Sequence, residues 1–327
     1  MKILVAGGAG YIGSNMAAIL KAEGFEPVVF DNLSKGHRAA VGDSEFVRGD
    51  LADYELLVDT LSKYKIEAVM HFAALIEVGE STAEPIKYYQ NNVSNTQNLL
   101  SAMETAGVEK FIFSSTAAVY GMPKEVPITE EAPKEPINPY GQTKLAIERM
   151  CHWQMKAGKL RYATLRYFNA AGAGANCRLG EDHRPESHLI PLTIQAAMGR
   201  RSNIKIFGTD YPTADGTCIR DYIHIEDLCR AHLLALKRLE TENELVYNLG
   251  NGKGYSVREV IETVRKVSGK DFEVVESGRR AGDAPVLTSD ATKAQKELGW
   301  ETRYPELEKI VATAWEFHNK YSNGYPD

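Results

Sequence analysis

Ile3-Leu4-Val5-Ala6-Gly7-Gly8-Ala9-Gly10-Tyr11-Ile12-Gly13 is the stretch whose reading decides the fold. Its first four residues form a short apolar run of the kind expected of a parallel strand buried on both faces. The run enters a glycine turn spaced G-x-x-G-x-x-G, and a helical pattern follows to about Glu23. Pro27-Val28-Val29-Phe30 then reads as a second strand, ending at Asp31. Strand, glycine turn, helix, strand and acid make a βαβ unit with a dinucleotide fingerprint. Gly7 permits the tight turn. Gly10 lets backbone N–H groups approach a pyrophosphate at the helix N-terminus, and Gly13 allows close helix–strand packing. Asp31 stands where a carboxylate can accept hydrogen bonds from an adenosine ribose, and it would repel a 2′-phosphate. The glycines alone would also fit a structural turn; the strand context and Asp31 favour a bound NAD.

The α/β alternation continues outward from this unit. Glu45–Arg48 reads as a strand ending near Asp50-Leu51, residues 53–64 as a helix, and Ala68–Phe72 as a strand followed by Ala73-Ala74. Residues 85–106 are mostly helical in pattern, and Lys110–Phe113 is a strand ending at Ser114-Ser115-Thr116. In open α/β sheets ligands bind at the carboxyl ends of the strands. Gly7–Gly13, Asp31, Asp50, Phe72–Ala74 and Ser114–Thr116 would gather on that edge. His71, inside an apolar strand, is expected to be a packed histidine rather than a catalyst.

The prolines at 123, 127, 133, 136 and 139 mark a surface connection. It leads into Asn138-Pro139-Tyr140-Gly141-Gln142-Thr143-Lys144. Asn138 suits a helix N-cap and Pro139 the first helical position. A helix beginning there holds Tyr140 and Lys144 one turn apart on the same face. The ordinary pKa of tyrosine is about 10, and a lysine ammonium beside it is expected to favour the phenolate and lower that value. Tyr-x-x-x-Lys also arises by chance, so the pair gains meaning only from its company.

Tyr162–Tyr167 reads as a strand leading to Phe168-Asn169, and residues 170–186 read as a loop rich in Gly, Ala and charge. Beyond it the βα rhythm weakens. A helix is expected at 189–199, a strand at Ile204–Phe207, then the polar run Gly208–Arg220 and Asp221-Tyr222-Ile223-His224, a helix from Glu226 to about Arg238, and helices near 256–268 and 305–321. The expected architecture is α/β: a Rossmann-type doubly wound parallel sheet with a smaller C-terminal α/β substrate domain. Residues 1–169 would form the NAD-binding domain, with segments near 220–250 returning to it, and 170–327 the smaller, interleaved domain.

A length of 327 residues with 43% hydrophobic side chains is ample for a sizeable core. The net charge of −6 offers no basic footprint for nucleic acid. Cys151, Cys177, Cys218 and Cys229 form no C-x-x-C pair and are expected to be reduced thiols, and we expect no metal. No apolar run reaches transmembrane length, and Met1-Lys2 runs straight into a strand rather than a signal peptide. A cytoplasmic protein without membrane partners is therefore expected.

The glycine turn, the Ser-Ser-Thr strand end and the Tyr140/Lys144 pair resemble the extended short-chain dehydrogenase/reductase superfamily. Ile206-Phe207-Gly208-Thr209-Asp210-Tyr211-Pro212-Thr213-Ala214-Asp215-Gly216-Thr217, Arg220-Asp221-Tyr222-Ile223-His224 and Arg279-Arg280-Ala281-Gly282-Asp283 narrow the resemblance to the UDP-glucose 4-epimerase (UDP-galactose 4-epimerase) family, over nearly the whole chain. The resemblance implies a bound NAD that is reduced and reoxidised within each turnover. It makes Tyr140 the acid–base group at the sugar 4-hydroxyl, Lys144 the partner of the nicotinamide ribose, and Thr116 a hydroxyl beside that 4-hydroxyl. It further implies cofactor contacts at Gly7, Gly10, Tyr11, Ile12, Gly13, Asp31, Asn32, Leu33, Ser34, Lys35, Gly36, Asp50, Leu51, Phe72, Ala73, Ala74, Asn91, Ser114 and Phe168. The UDP-sugar, the expected partner, would meet Asn169, His188, Leu189, the backbone of Lys205, Ile206 and Phe207, Arg220, Tyr222, Arg280, Asp283 and Leu287. The two arginines suit a pyrophosphate, which takes fork-shaped cationic donors.

Three positions depart from the family pattern. Ile76 replaces a lysine that reaches the cofactor pyrophosphate in some members, and His188 replaces an asparagine. Leu287 stands at the sugar-pocket wall, where the family carries tyrosine or a smaller residue. Sugar-nucleotide 4,6-dehydratases of the same scaffold place Asp-Glu after the threonine; here Ala117-Ala118 follows Thr116 and cannot move protons, so dehydration is rejected. Epimerisation of another UDP-sugar, and a cofactor-sensing module without chemistry, are the remaining alternatives. Apolar positions at Val93, Leu100, Met103, Leu145, Met150 and Trp153 would suit core packing, whereas the resemblance implies a homodimer through a four-helix bundle of the helices near 91–106 and 140–157.

Overall fold

The computed structural model describes residues 1–280 and 282–326, so Ala281 of the Arg279–Asp283 run lies outside the described residues. Strand β1 (Lys2–Ala6), helix α1 (Tyr11–Ala22) and strand β2 (Glu26–Asp31) form the first βαβ unit. β1 and β2 are parallel, with Lys2 opposite Glu26 and Ala6 opposite Phe30. Then follow β3 (Glu45–Arg48), α2 (Tyr54–Tyr64), β4 (Ala68–His71), α3 (Val78–Ala83), α4 (Pro85–Tyr88), α5 (Asn95–Ala106), β5 (Lys110–Thr116), α6 (Pro139–Lys156) and β6 (Arg161–Tyr167). A π-helical turn over Tyr89–Ser94 joins α4 to α5.

The second half begins with β7 (Asn169–Ala171), α7 (Leu189–Ala197), β8 (Asn203–Phe207), β9 (Ile219–His224), α8 (Ile225–Arg238) and β10 (Glu244–Leu249). It ends with β11 (Gly254–Ser256), α9 (Val257–Ser268), β12 (Glu273–Ser277), β13 (Val286–Leu287), α10 (Thr292–Leu298) and α11 (Leu307–Lys320). The main sheet has seven strands in the order β10-β6-β5-β4-β1-β2-β3, every neighbouring pair parallel. Its order reverses between β1 and β4. That is the switch point where a crevice opens beyond the strand ends.

Alternation along the strands divides the core into two layers. Ile3, Val5, Val29, Met70, Ile112 and Leu165 face one side with Met16 and Leu20 of α1 and Leu228 and Leu236 of α8. Leu4, Ala6, Val28, Phe30, Val69, Phe111 and Phe113 face the other with Leu57 of α2, Leu99 and Met103 of α5 and Ile147 of α6. Burial on both faces is why these strands read as unbroken apolar runs. The smaller region holds a sheet ordered β11-β9-β13 with β7 added against β9, and a β8/β12 pair. It packs its own core from α7, α9 and α11.

Local signals set the ends of the site-bearing helices. The Asn138 side chain accepts from Gly141 N at 2.8 Å, capping α6 behind Pro139. Ser256 and Glu259 form a reciprocal capping box on α9. The segment expected to be loop from residue 170 starts instead inside β7, which exists because β9 supplies a partner: Asn169 lies opposite Tyr222. Strands this short carry no periodic signal of their own. α3, α10 and β9–β13 are likewise elements that the sequence pattern does not mark out separately. Leu100, Met103 and Leu145 are consumed by the chain's own core, whereas Trp153 is 70% exposed.

Candidate active site

A cavity of about 890 Å³ opens where the carboxyl ends of the main sheet meet the smaller region. Gly7, Gly10, Tyr11, Ile12 and Gly13 line its floor, with Asp31, Asn32, Ser34, Lys35, Gly36, Asp50 and Leu51 on one side. Phe72, Ala73, Ala74, Asn91, Ser114, Thr116, Tyr140, Lys144 and Phe168 continue the same wall, while Asn169, His188, Arg220, Arg280, Asp283 and Leu287 face it. Six expected contacts lie off the cavity wall. Leu33 packs against the main core, and Leu189 and Tyr222 join the core of the smaller region. Ile206 is buried beside Ile204, and Lys205 is exposed. Phe207 lies 4.7 Å beneath the Arg280 guanidinium. In β8 alternate side chains point to opposite faces, which sends Ile206 to the core and Lys205 to solvent.

The glycine turn is shaped by close approaches. A Cβ on Gly13 would stand 2.2 Å from Gly7 O, and one on Gly7, at φ +78°, 2.5 Å from Ala73 N. Gly10 differs: a Cβ there would meet only Gly7 O, at 3.4 Å. Backbone packing does not require that glycine, and a side chain on it would fill the space in front of α1. The helix has Gly10 as N-cap, no capping side chain and no acid in its first turn. Its N-terminal N–H groups and dipole are therefore free to receive an anion. The Asp31 carboxylate ends β2, accepting from Ala9 N at 3.0 Å and Leu33 N at 2.7 Å. Burial raises its pKa against those hydrogen bonds. Asp50 accepts from Asn32 Nδ2 at 2.7 Å. A cleared cradle at a helix N-terminus, with an acid at the end of the next strand, fits a dinucleotide whose ribose carries no 2′-phosphate.

Tyr140, Thr116, Ser114 and Lys144 meet where β5 ends and α6 begins. Lys144 Nζ donates to Ser114 O at 2.8 Å and lies 5.0 Å from the Phe113 ring. Burial pulls the lysine down to about 7, with Glu148 acting the other way. Tyr140 departs from expectation. Burial pushes its phenol up to about 12, the Thr116 hydroxyl favours the phenolate and Glu77 opposes it. The ammonium that should have lowered Tyr140 points at a backbone carbonyl and is itself desolvated. Spacing on a helix shows which side chains share a face, not where their ends point. His71 is packed as expected: its Nε2 is 3.1 Å from Thr96 Oγ1, and burial lowers it to about 3.

Behind the pair lies a buried network that the sequence reading missed. Glu148, one turn past Lys144, accepts from Ser115 Oγ at 2.5 Å. It also takes Arg166 Nε at 2.9 Å and Nη2 at 2.6 Å. Arg166 Nη1 reaches Tyr120 OH at 2.9 Å, and that hydroxyl donates to Asn248 Oδ1 at 2.7 Å. The network ties α6 to β5, β6 and β10. Its sequence signal is Arg166, a charge between Leu165 and Tyr167 near the end of the strand Arg161–Tyr167. Lys35 crosses the cavity mouth to Glu77 at 3.3 Å, beside Ile76.

The opposite wall depends on Asp221, which accepts from Asn251 N at 2.8 Å, Gly252 N at 3.1 Å, Ser289 N at 3.0 Å and Ser289 Oγ at 2.6 Å. Asp221 flanks Arg220, whose Nη1 donates to Ile219 O at 2.9 Å and Ala284 O at 2.8 Å. Arg220 and Arg280 both reach Asp283, at 3.5 and 3.2 Å. Leu287 pairs with Arg220 across β13 and β9, and packs with Val119, Tyr120 and Phe168.

The profile of the NAD dependent epimerase/dehydratase family matches residues 3–250. The chain belongs to that family. It is 52% identical to a UDP-glucose 4-epimerase of Halalkalibacterium halodurans, over 99% of this chain and 98% of that one. A crystal structure of a UDP-glucose 4-epimerase superposes with a TM-score of 0.97 at 50% identity, covering 100% of both chains. The Brucella ovis UDP-glucose 4-epimerase in complex with NAD gives 0.94 at 49% identity, over 97% of this chain and 98% of its own. Within this family the dehydratase reading fails on the structure too, because Ala117 and Ala118 both line the cavity beside Thr116.

Proposed function

We propose that the protein interconverts UDP-glucose and UDP-galactose by inverting C4 of the hexose, with NAD retained through the cycle. The observation that carries this reading is the convergence of Tyr140, Thr116, Ser114 and Lys144 on the cavity that Gly10 and the α1 N-terminus also open into. NAD, when bound, supplies a hydride acceptor and donor for C4. Tyr140 takes the proton of the 4-hydroxyl and returns it after the 4-ketose has turned its other face. Thr116, whose hydroxyl favours the Tyr140 phenolate, holds the proton path in line. Lys144 supplies a donor to the cofactor ribose, and Tyr11, Ile12, Asp31 and Lys35 are assigned to the rest of the dinucleotide. Arg220 and Arg280 are assigned to the UDP pyrophosphate, and Asn169 and Leu287 to the sugar.

The same reading divides the chain into an NAD-binding domain over 1–169 with the 220–250 segment returning, and a UDP-sugar domain over 170–327. The return of β10 to the main sheet supports it. A homodimer is supported by exposed apolar side chains on helices that adjoin α6, Val78 and Ile86, with Trp153 on α6 itself. A cytoplasmic setting is supported by four buried free cysteines. Among the described residues no helix is long and apolar enough to cross a membrane. Incubating the purified protein with UDP-galactose tests the function. UDP-glucose should accumulate to equilibrium; no conversion with NAD present would reduce the protein to a cofactor-binding module.

A further inference from the structure

The loop between β7 and α7 carries a cluster that takes no part in the proton path of C4 inversion, although one member, His188, is also an expected UDP-sugar contact. Glu181, His183, Glu186 and His188 each present one donor atom, and the four atoms lie within 4.8 Å of one another. His188 Nδ1 stands 2.8 Å from Glu181 Oε1 and 3.0 Å from Glu186 Oε1. His183 Nδ1 stands 3.2 Å from Glu181 Oε1 and 3.7 Å from Glu186 Oε2. Ligands at zinc bond lengths of about 2.0–2.2 Å are about 3.3–3.6 Å apart along the edges of a tetrahedron. Three of the four separations fall short of that edge and one exceeds it, with Glu186 using a different oxygen toward each histidine, so the donors need only small shifts to close on an ion.

Three further observations point to a cation rather than to a chance ion-pair cluster. The Glu181 and Glu186 side chains are only 7% and 4% exposed, so two carboxylates are held together away from water and require positive charge between them. His183 Nδ1 is sealed from solvent without a well-aligned hydrogen-bond partner, despite the oxygens beside it. Around the donors is a shell that orients them: Ser187 N and His188 N both donate to Glu186 Oε1, at 2.7 and 2.8 Å. Asp182, between the first two donors, accepts from Tyr325 N at 3.0 Å, and its carbonyl meets His37 Nε2 at 2.8 Å. Two imidazoles and two carboxylates suit zinc and its transition-metal neighbours better than calcium or magnesium, which prefer all-oxygen shells.

We propose that Glu181, His183, Glu186 and His188 form a binding site for a divalent transition metal of the Zn²⁺ class, which clamps the 180–188 loop onto the cavity wall. The sequence reading expects no metal; the E-x-H-x-x-E-x-H spacing of Glu181–His188 runs out of the segment 170–186 that reads as a charged loop. Glu181, His183 and His188 line the cavity, so the ion would fix the shape of the wall opposite Tyr140 without entering the proton path. The rival account is a metal-free quartet of two imidazoliums and two carboxylates, which has the same net charge.

Metal binding by the full chain, purified without a metal-binding tag and stripped with a chelator, separates the two. With Zn²⁺ as probe, a single ion per chain should survive desalting, and the thermal midpoint should rise with Zn²⁺ concentration. Co²⁺ should give the visible absorption of a tetrahedral N/O site. His183→Gln and Glu186→Gln should each weaken Zn²⁺ by at least about 10–100-fold, the range seen even for outer-shell losses. Failure of the stripped protein to bind Zn²⁺, or binding that both variants leave unchanged, would overturn the site as a proton-held quartet or an adventitious ion. If the variants do not fold, the wild-type Co²⁺ spectrum decides: an octahedral or absent signal counts against the proposal.

Discussion

The two walls of the cavity are built differently. The main-sheet wall is made by backbone: a glycine turn with contacts that leave no room for a Cβ at Gly7 or Gly13, strand ends held in a seven-stranded parallel sheet, and a lysine and tyrosine set in place by a capped helix. The facing wall is made by side chains from distant parts of the chain. Arg220 and Arg280 each pair with Asp283, Asp221 gathers Asn251, Gly252 and Ser289, and Leu287 sits on a two-residue strand. The first design seats the reacting groups on regular secondary structure, which suits chemistry that is sensitive to misplacements of about 1 Å. The second can vary residue by residue without disturbing the first, as substrate choice demands.

This contrast implies that changes on the first wall cost rate or stability, whereas changes on the second alter which sugar is accepted. The largest effect is expected from Tyr140→Phe, which keeps the ring and removes the proton carrier. Positioned acid–base groups supply about 10²–10⁴-fold in rate, so kcat should fall by at least that order with UDP-sugar affinity little changed. A mutant within about threefold of wild type, far inside that range, would transfer the base role to Thr116.

Next comes Glu148→Ala, which strands the buried Arg166 guanidinium. Removing one member of a buried pair typically costs about 3–5 kcal/mol, and denaturant unfolding should show a loss of that size. A loss under about 1 kcal/mol, the scale of surface ion pairs, would mean that water reaches the network and that the first wall is less rigid than its geometry implies.

A third effect is read against pH. Lys144 is held at about 7 in the folded chain against an ordinary 10.5. Between those values the unfolded chain binds the extra proton, so the stability of the cofactor-free protein gains a contribution as pH rises through that window. Below about pH 7 the cost of the buried ammonium is fully present. Lys144→Met should flatten this component. Equal slopes in wild type and mutant from pH 7 upward would show that the lysine is solvated.

The smallest effect is expected on the facing wall. Turning the 4-ketose sweeps any C2 substituent through the pocket, and leucine at 287 leaves more room than tyrosine and less than glycine. UDP-N-acetylglucosamine should be converted measurably but more slowly than UDP-glucose. Leu287→Tyr should remove that activity while sparing the plain hexose. Should wild type lack the N-acetyl activity and Leu287→Gly fail to create it, the gate lies elsewhere on this wall.

Much of the first wall could be read from sequence because its determinants are local. A glycine turn, a strand terminus and an N-capped helix are each specified locally, and burial on both sheet faces leaves an apolar signature in the central strands β1, β2 and β4. The motif runs around Arg220 and Arg280 were visible as resemblance. Their mutual engagement of Asp283, and the withdrawal of Leu189, Ile206 and Tyr222 into the core, were not. What the tertiary structure alone decided is what depends on meetings between remote segments. The direction of the Lys144 ammonium is set by the Ser114 carbonyl, and the rise in the Tyr140 pKa by desolvation. β7 and β13 exist only because β9 is there to pair with them. The charge of the 181–188 cluster becomes meaningful only once folding removes its water. Hydrogen bonds and hydration are properties of what surrounds a group, and a linear chain carries the groups without their surroundings.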